Sequence, residues 1–382
     1  MLLDNSFQSD ARVEKEAKTL ISHGAHVTVF CIKDDDLPAH EQRDGYGIVR
    51  CIEHGYNAPL RKSYKDFVAT TVKKILEESF DVLHCHDFYM LSIGAEVKKK
   101  RPSVILIYDA HEYLAGWPFY KTSEGLNKWK GKLVWNKLIR KEKAEILHAD
   151  AVLTITDSIS DRLKSKYNLK KKPSVLGNYP SKFELKKNDR YFQDKYKLKK
   201  ETKIIIHSGT IYHADDQLAL LFDVLKQHDD LGLIFVGNRP RFYEIEAMVQ
   251  LDESLQQKVF FHPYPDRQEE VINLLASADI GLLHIIDKWE AHTIGFSNRF
   301  VEYSVAELPV VATPQNFTRE INNEYHCATF YSTQDNTSLN QAIERLLNDY
   351  DAFKQGAMKA GKNMHWDSVS QTLVNLYAAL TA

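Results

Sequence analysis

Cysteine is scarce: Cys31, Cys51, Cys85 and Cys327 are the only four in 382 residues, and no two form a Cys-x-x-Cys pair. That argues against a disulfide-stapled scaffold or a thiolate zinc site. Most of the four stand in or beside apolar runs, where a free thiol packs as a small hydrophobe, and a reducing cytoplasm is the expected setting. An excess of one charge is lacking too, since 50 Lys and Arg against 52 Asp and Glu leave a formal −2 at pH 7. No global field favours nucleic acid, and none is expected as a partner. No apolar run approaches the ~18 residues of a membrane span. The opening MLLDNSFQSD has no basic segment leading into a long apolar one. The expectation is a soluble chain, or one held peripherally on the inner face of a membrane.

With 43% hydrophobic residues the chain can bury a sizeable core, and at roughly 100–200 residues per domain its length suits two domains. Strand-like runs recur from end to end: HVTVFCI (26–32), DVLHCHD (81–87), SVILIYDAH (103–111), AVLTIT (151–156), KIIIHSG (203–209), LGLIFVG (231–237), KVFFHP (258–263), IGLLHI (280–285) and LPVVAT (308–313). They are β-branched and almost continuously apolar, the pattern of parallel strands covered on both faces. Helical patterns between them predict an α/β architecture with right-handed crossovers. MLLD reads as a short opening strand, and ARVEKEAKTLISHG as a helix closed by Gly24. A Lys- and Asp-rich stretch without apolar period divides the chain into a first domain at 1–180, a linker at 181–202 and a second domain at 203–364, followed by an amphipathic helix at 365–382. Two doubly wound domains facing each other predict a central cleft at the carboxyl ends of their strands.

The segment SNRFVEYSVAELPVV (297–311) sets an acid, Glu302, in the apolar middle of a short helix that feeds a buried strand. Gly295 and Phe296 precede the helix, Ser297 is its N-cap, and Asn298 and Arg299 open its first turn. Exposed N–H groups there favour an anion, and the Arg299 fork suits phosphate oxygens. Glu302, one turn further, is placed to accept from sugar hydroxyls. The plain alternative is an i,i+3 Arg299–Glu302 pair on a solvated face, worth only about 0.2–0.5 kcal/mol. In HSGT, residues Ser208, Gly209 and Thr210 end a strand with a turn whose amides can approach phosphate, or else a simple strand-to-loop glycine. His84 and His86 share one strand face. With Asp87 they offer three donors but no further cluster, and no metal is expected.

These segments resemble the family-4 retaining glycosyltransferases of the GT-B fold (glycosyl transferases group 1). The resemblance rests on SNRFVEYSVAELPVVAT together with DARVEKEAKTLISHGAHVTVFC, DVLHCHD, YDAHE, ADAVLTITDSISDRL, GNYP, HSGT, FVGN and LLASADIGLLHI, spread over nearly the whole chain. It implies two Rossmann-like domains, with the terminal helix crossing back to the first. It further implies that a sugar moves, with retention, from a nucleoside diphosphate sugar to a glycan or lipid-linked acceptor in surface polysaccharide or glycolipid assembly. No cofactor beyond that co-substrate is implied. Glu302 matches the glutamate that holds the donor ribose, and the loop through Gly295, Phe296 and Ser297, with Asn298 and Arg299, matches the part that holds the diphosphate or sugar. His111 in YDAHEY matches a histidine that contacts a donor-sugar hydroxyl, and Glu112 is its neighbour. The expected catalytic set is therefore His111, Glu112 and Glu302. Ser208, Gly209 and Thr210 with Gly237, Asn238 and Arg239 of FVGNR complete the expected donor site.

The chain departs from the family pattern in three places. Thr210 and Asp215 stand where an arginine and a lysine usually clamp the diphosphate, which leaves Arg299, Arg239 or another base to carry that charge. Ile294 replaces the first acid of a Glu-x7-Glu pair, with Glu290 or His292 as substitutes from the same loop, and Glu307 stands where a glycine commonly closes the helix. These departures keep two rivals open: a non-catalytic GT-B binding or scaffolding protein, and a sugar-nucleotide epimerase or hydrolase on the same fold. Residues 121–143 hold eight Lys or Arg and two Glu, interleaved with Trp129, Leu133, Trp135, Leu138 and Ile139. This segment reads as a first-domain helix packing its apolar stripe inward. The other reading lays it on an anionic membrane surface.

Overall fold

The computed structural model describes residues 1–8, 10–53, 62–122, 124–209, 215–237, 242–285, 288–335 and 337–382, with backbone alone at 62–63 and 215–219. The chain forms two compact units, one from Met1–Asn178, Trp289–Phe296 and Val369–Ala382, the other from Tyr179–Lys288 and Ser297–Ser368.

The first unit contains β1 (Thr28–Ile32), β2 (His40–Arg43), β3 (Tyr46–Ile52), β4 (Val82–His86), β5 (Ile105–Ala110), β6 (Ala151–Thr154) and β7 (Ser174–Val175). They are ordered β2-β3-β1 and β4-β5-β6-β7, and the opening residues join the two groups. Leu2 N donates to His84 O at 2.8 Å and Leu3 N to Phe30 O at 2.9 Å, so Leu2 bridges β1 and β4 in parallel. Among the described residues only β2 runs antiparallel, against β3. That hairpin escaped the apolar-run reading because β2, HEQR, is polar and half exposed. Its signal is Asp44-Gly45, both at positive φ (47° and 89°), the residues a type I′ turn demands.

The second unit holds β8 (Lys203–Ser208), β9 (Leu231–Val236), β10 (Val259–His262), β11 (Ile280–Leu283), β12 (Val310–Ala312) and β13 (Ala328–Phe330), all parallel. Their order is β10-β9-β8-β11-β12-β13, which reverses between β8 and β11, and a switch point of this kind is where ligands collect. Every residue of β9, β11 and β12 is buried, as their unbroken apolar sequence requires of strands covered on both faces. Residues 181–202 group with this unit and fold a helix, Tyr191–Tyr196, with Phe192 buried.

The inward-packing expectation for the helix within 121–143 is corrected, and the glycine-like place expected of Glu307 is found. In the helix Gly125–Ile146 only the second half packs inward, through Leu138, Ile139 and Ile146, whereas Leu126, Trp129 and Leu133 are 65%, 60% and 44% exposed. The helix outruns the core it rests on. Glu307 adopts the left-handed φ of +60° that a glycine would take there, and its carbonyl accepts from Lys354 Nζ at 2.6 Å.

Candidate active site

At the switch point β8 and β11 pair only through Ile205–Ile206 and Ile280–Gly281 before parting. Tyr303, fully buried on the helix Asn298–Val305, fills the gap. Its hydroxyl lies 3.0 Å from Ser208 N, 3.1 Å from Leu282 O and 3.3 Å from Ile206 O. With one proton, it accepts from Ser208 N and donates to one carbonyl at a time. Gly281 makes the room, since a Cβ there would sit 2.7 Å from the Tyr303 ring. Gly209 then leaves the strand at φ +88°. Gly237 backs it closely: an added Cβ would stand 3.0 Å from Gly209 O and 2.5 Å from the Phe242 ring.

Arg299 lies over this turn, with Cδ 3.6 Å from where a Cβ on Gly209 would be. Its Nη1 is 3.3 Å from Ser208 O and 3.2 Å from His207 Nε2. Among the described residues its partners are thus a carbonyl and an imidazole, not a carboxylate. His207 is pressed well below its ordinary pKa by burial, then by Arg299 and His284, and so accepts as a neutral ring. His284 is lowered to about 4 by burial and by Arg299. Glu302 is buried and takes a different partner, Gln268, whose Nε2 donates to Oε1 at 3.3 Å. The i,i+3 pair of Arg299 with Glu302 therefore does not form. Burial raises the Glu302 pKa, while Gln268 and Arg299 pull it back.

Ser297 caps the helix, its hydroxyl accepting from Phe300 N at 3.3 Å, and Asn298 is exposed. Gly295 and Phe296 group with the first unit, where a Cβ on Gly295 would meet Ala291 O at 2.6 Å. Glu290 is ion-paired to Arg162 at 2.7 Å, and His292 packs edge-on against Trp117 with centroids 4.8 Å apart. Thr210, Asn238 and Arg239 lie outside the described residues.

In the first unit, His111 follows β5 and meets Asp87, which opens the helix after β4 at φ +61°. Asp87 Oδ1 accepts from His111 N at 3.1 Å, and its Oδ2 is 3.2 Å from the ring Nδ1. The other nitrogen, Nε2, is 3.3 Å from Asp109 Oδ2 and 3.2 Å from His86 Nδ1. Burial would lower the His111 pKa, but the two carboxylates override it and hold the ring well above its ordinary value. His111 is therefore an imidazolium with both N–H groups committed, and it offers a ligand charge instead of a free lone pair. Glu112 beside it is exposed.

Asp109 is itself held well below the carboxylate range; burial opposes this, and Arg12 and His111 outweigh it. Arg12 Nε and Nη2 donate to Asp109 Oδ2 at 3.1 and 2.8 Å, Nη1 donates to Leu176 O at 2.9 Å, and Nε lies 3.0 Å from Glu16 Oε1. Burial pushes the Glu16 carboxyl up to about 8.

Glu16, His84, His86 and Asp109 bring donor atoms within 4.8 Å of one another; Asp87, expected beside the two histidines, serves His111 instead. Both histidine Nε2 atoms lack a hydrogen-bond partner among the described residues. A metal nevertheless fits poorly. The two imidazoles stack with centroids 4.4 Å apart and planes at 18°, so their in-plane lone pairs run side by side and do not converge as tetrahedral ligation requires. Arg12 already stands as the cation between the Glu16 carboxyl and the Asp109 carboxylate. The four residues form an internal charge network.

Sequence reasoning passed over Tyr303, His207, Gln268, Arg12 and Asp109. Tyr303 and Asp109 stood in plain view, in Glu-Tyr and in YDAHE, but nothing in the sequence points from Gln268 to Glu302.

Comparison with known proteins places this geometry. The family described as Glycosyltransferase Family 4 matches residues 11–178, and that described as Glycosyl transferases group 1 matches residues 188–364. An uncharacterized glycosyltransferase of Methanocaldococcus jannaschii is 21% identical over 94% of this chain and 91% of its own length. Among solved structures, sucrose-phosphate synthase from Thermosynechococcus elongatus superposes with a TM-score of 0.75 at 15% identity, covering 100% of this chain and 98% of that one. The Anabaena protein HepE in complex with UDP-glucose does so at 0.69 and 16%, covering 99% and 98%. At such identities the structures speak for the fold alone, two Rossmann-like units of the GT-B fold, while the two family matches between them account for both units. The chain belongs to the family-4 glycosyltransferases of the GT-B fold.

Proposed function

We propose that the protein moves a hexose, with retention, from a nucleoside diphosphate sugar to the hydroxyl of a glycan or lipid-linked acceptor, in the cytoplasmic assembly of a surface polysaccharide or glycolipid. One observation carries the donor half of this reading. Among the described residues Arg299 is fixed over the Gly209 turn at the switch point by neutral partners, one helical turn from a buried carboxylate, Glu302, whose bond is to a neutral amide. A cation so placed keeps its field for an anion, here the departing diphosphate. A carboxylate so placed keeps acceptor capacity for ribose hydroxyls. In the transfer, the bond from the anomeric carbon to the diphosphate oxygen breaks with its electron pair leaving on the diphosphate. The acceptor oxygen bonds to that carbon on the same face and passes its proton to the departing diphosphate oxygen. His111 enters as a fixed cation, and no metal is assigned a part. The UDP-glucose held by the Anabaena relative supports a uridine donor.

Thermal stabilisation by UDP, GDP, ADP, TDP and their common sugars tests this. At about 100 times its dissociation constant a ligand contributes roughly 2.7 kcal/mol. One nucleotide should stand out, and Glu302→Ala should abolish its shift; NMR of the transfer product then reads the anomeric configuration. A folded protein that no nucleotide stabilises would move the reading to a non-catalytic binding protein.

A further inference from the structure

We propose that the solvent face of the helix Gly125–Ile146 docks on an anionic lipid surface. The helix has two faces of opposite purpose. Its second half packs into the first unit through Leu138, Ile139, Glu142, Glu145 and Ile146. On the opposite side Leu126, Trp129 and Leu133, spaced i, i+3 and i+7, fall within an arc of about 60° and stand exposed. Phe119, in the short turn that precedes the helix, is exposed as well. A large apolar group left in water by a folded unit is the exception that marks a contact surface.

The cations decide what that surface meets. Lys128, Lys130, Lys132, Lys137 and Arg140 are all exposed around the apolar stripe, and Glu124 is the one exposed acid between Lys121 and Lys143. The core of a protein interface is depleted of lysine, whereas a helix lying in a membrane interface sets Trp and Leu among the acyl chains and extends lysines outward to the headgroups. Charge complementarity therefore selects anionic headgroups. Among the described residues no helix is long and apolar enough to cross a membrane, so this one lies on the surface. Docking needs no nucleotide and stands or falls apart from the donor site.

The test is co-sedimentation of the full chain with vesicles of phosphatidylcholine, with and without phosphatidylglycerol. Binding is expected only with phosphatidylglycerol present and should weaken with salt as the charges are screened. Lys130→Glu with Lys137→Glu should lower the partition coefficient roughly tenfold or more, and Trp129→Ser with Leu133→Ser by about as much. All four positions are exposed, so the fold stays intact. No binding at low ionic strength overturns the proposal, as does binding that both double variants leave unchanged. Self-association that Trp129→Ser abolishes, without vesicle binding, would reassign the face to a second copy of the chain.

Discussion

Replacing Asp109 by Asn removes a negative charge from a fully buried position. Arg12 then faces a neutral amide oxygen in place of the carboxylate that accepts two of its hydrogen bonds, and His111 loses one of its two carboxylates. Taking one partner from a buried ion pair costs about 3–5 kcal/mol, because the other charge stays behind uncompensated. Glu16 softens the loss here. Its carboxyl is held up at about 8 by burial and in part by the Asp109 charge, so once that charge is gone it ionises more readily and faces Arg12 in its place. The expected loss is therefore at the low end, about 3 kcal/mol. Asp87→Asn is the control: its side chain is 35% exposed, and the expected cost is about 1 kcal/mol or less. Urea unfolding followed by a probe in the first unit reads the stabilities, since two units need not unfold together. NMR titration reads the His111 ring, whose pKa should fall in both variants. The pH dependence has a definite sign. The raised His111 pKa gives stabilisation that is complete below its ordinary value of 6.5 and is lost as pH rises through the folded value. The depressed Asp109 pKa gives stabilisation present above its ordinary 3.8 and lost only as pH falls through its lower folded value. Equal stability of the two variants, or a His111 titration that neither alters, would refute the idea that this network fixes the charge of the ring.

Glu16 in the folded chain keeps a proton that the unfolded chain releases between 4.5 and about 8, so it makes stability fall as pH rises through that window. Glu16→Gln should remove the fall, gaining about 1 kcal/mol or more on the wild type between about pH 5 and pH 8; parallel stability curves would count against it. Tyr303→Phe strands Ser208 N and should cost the second unit about 1–3 kcal/mol in chemical denaturation. Loss of donor affinity should accompany it, and an unaltered melt would show that the hydroxyl does not hold the switch point.

Parallel strands buried on both faces announce themselves, because nothing polar interrupts them: LGLIFV and IGLL needed no context to be placed. What was illegible depends on partners remote in sequence. The polar strand His40–Arg43 is a strand because β3 pairs with it. The short Ala328–Phe330 is one because β12 offers an edge. In the site, Ser297 as N-cap and the Gly209 turn were readable from residue type. The separate partners of Arg299 and Glu302 were not, since they come from His207, 92 residues away, and Gln268, 34 residues away. The charge of His111 was equally hidden. A histidine after a strand reads the same whether its nitrogens are free or held between Asp87 and Asp109.

The opening segment, which bridges β1 and β4 through Leu2, also has a consequence in time. Leu2 N donates to His84 O, a partner that the ribosome adds, at ~5–20 residues per second, about 4–16 s after Leu2 itself. Until then the segment can pair with β1, through Thr28, Phe30 and Ile32, but not with β4, and the half-built sheet carries an open edge at what will become its centre. Such an edge is a template for pairing with another chain, so the interval before β4 emerges is when a nascent copy is most exposed to its neighbours on the same message.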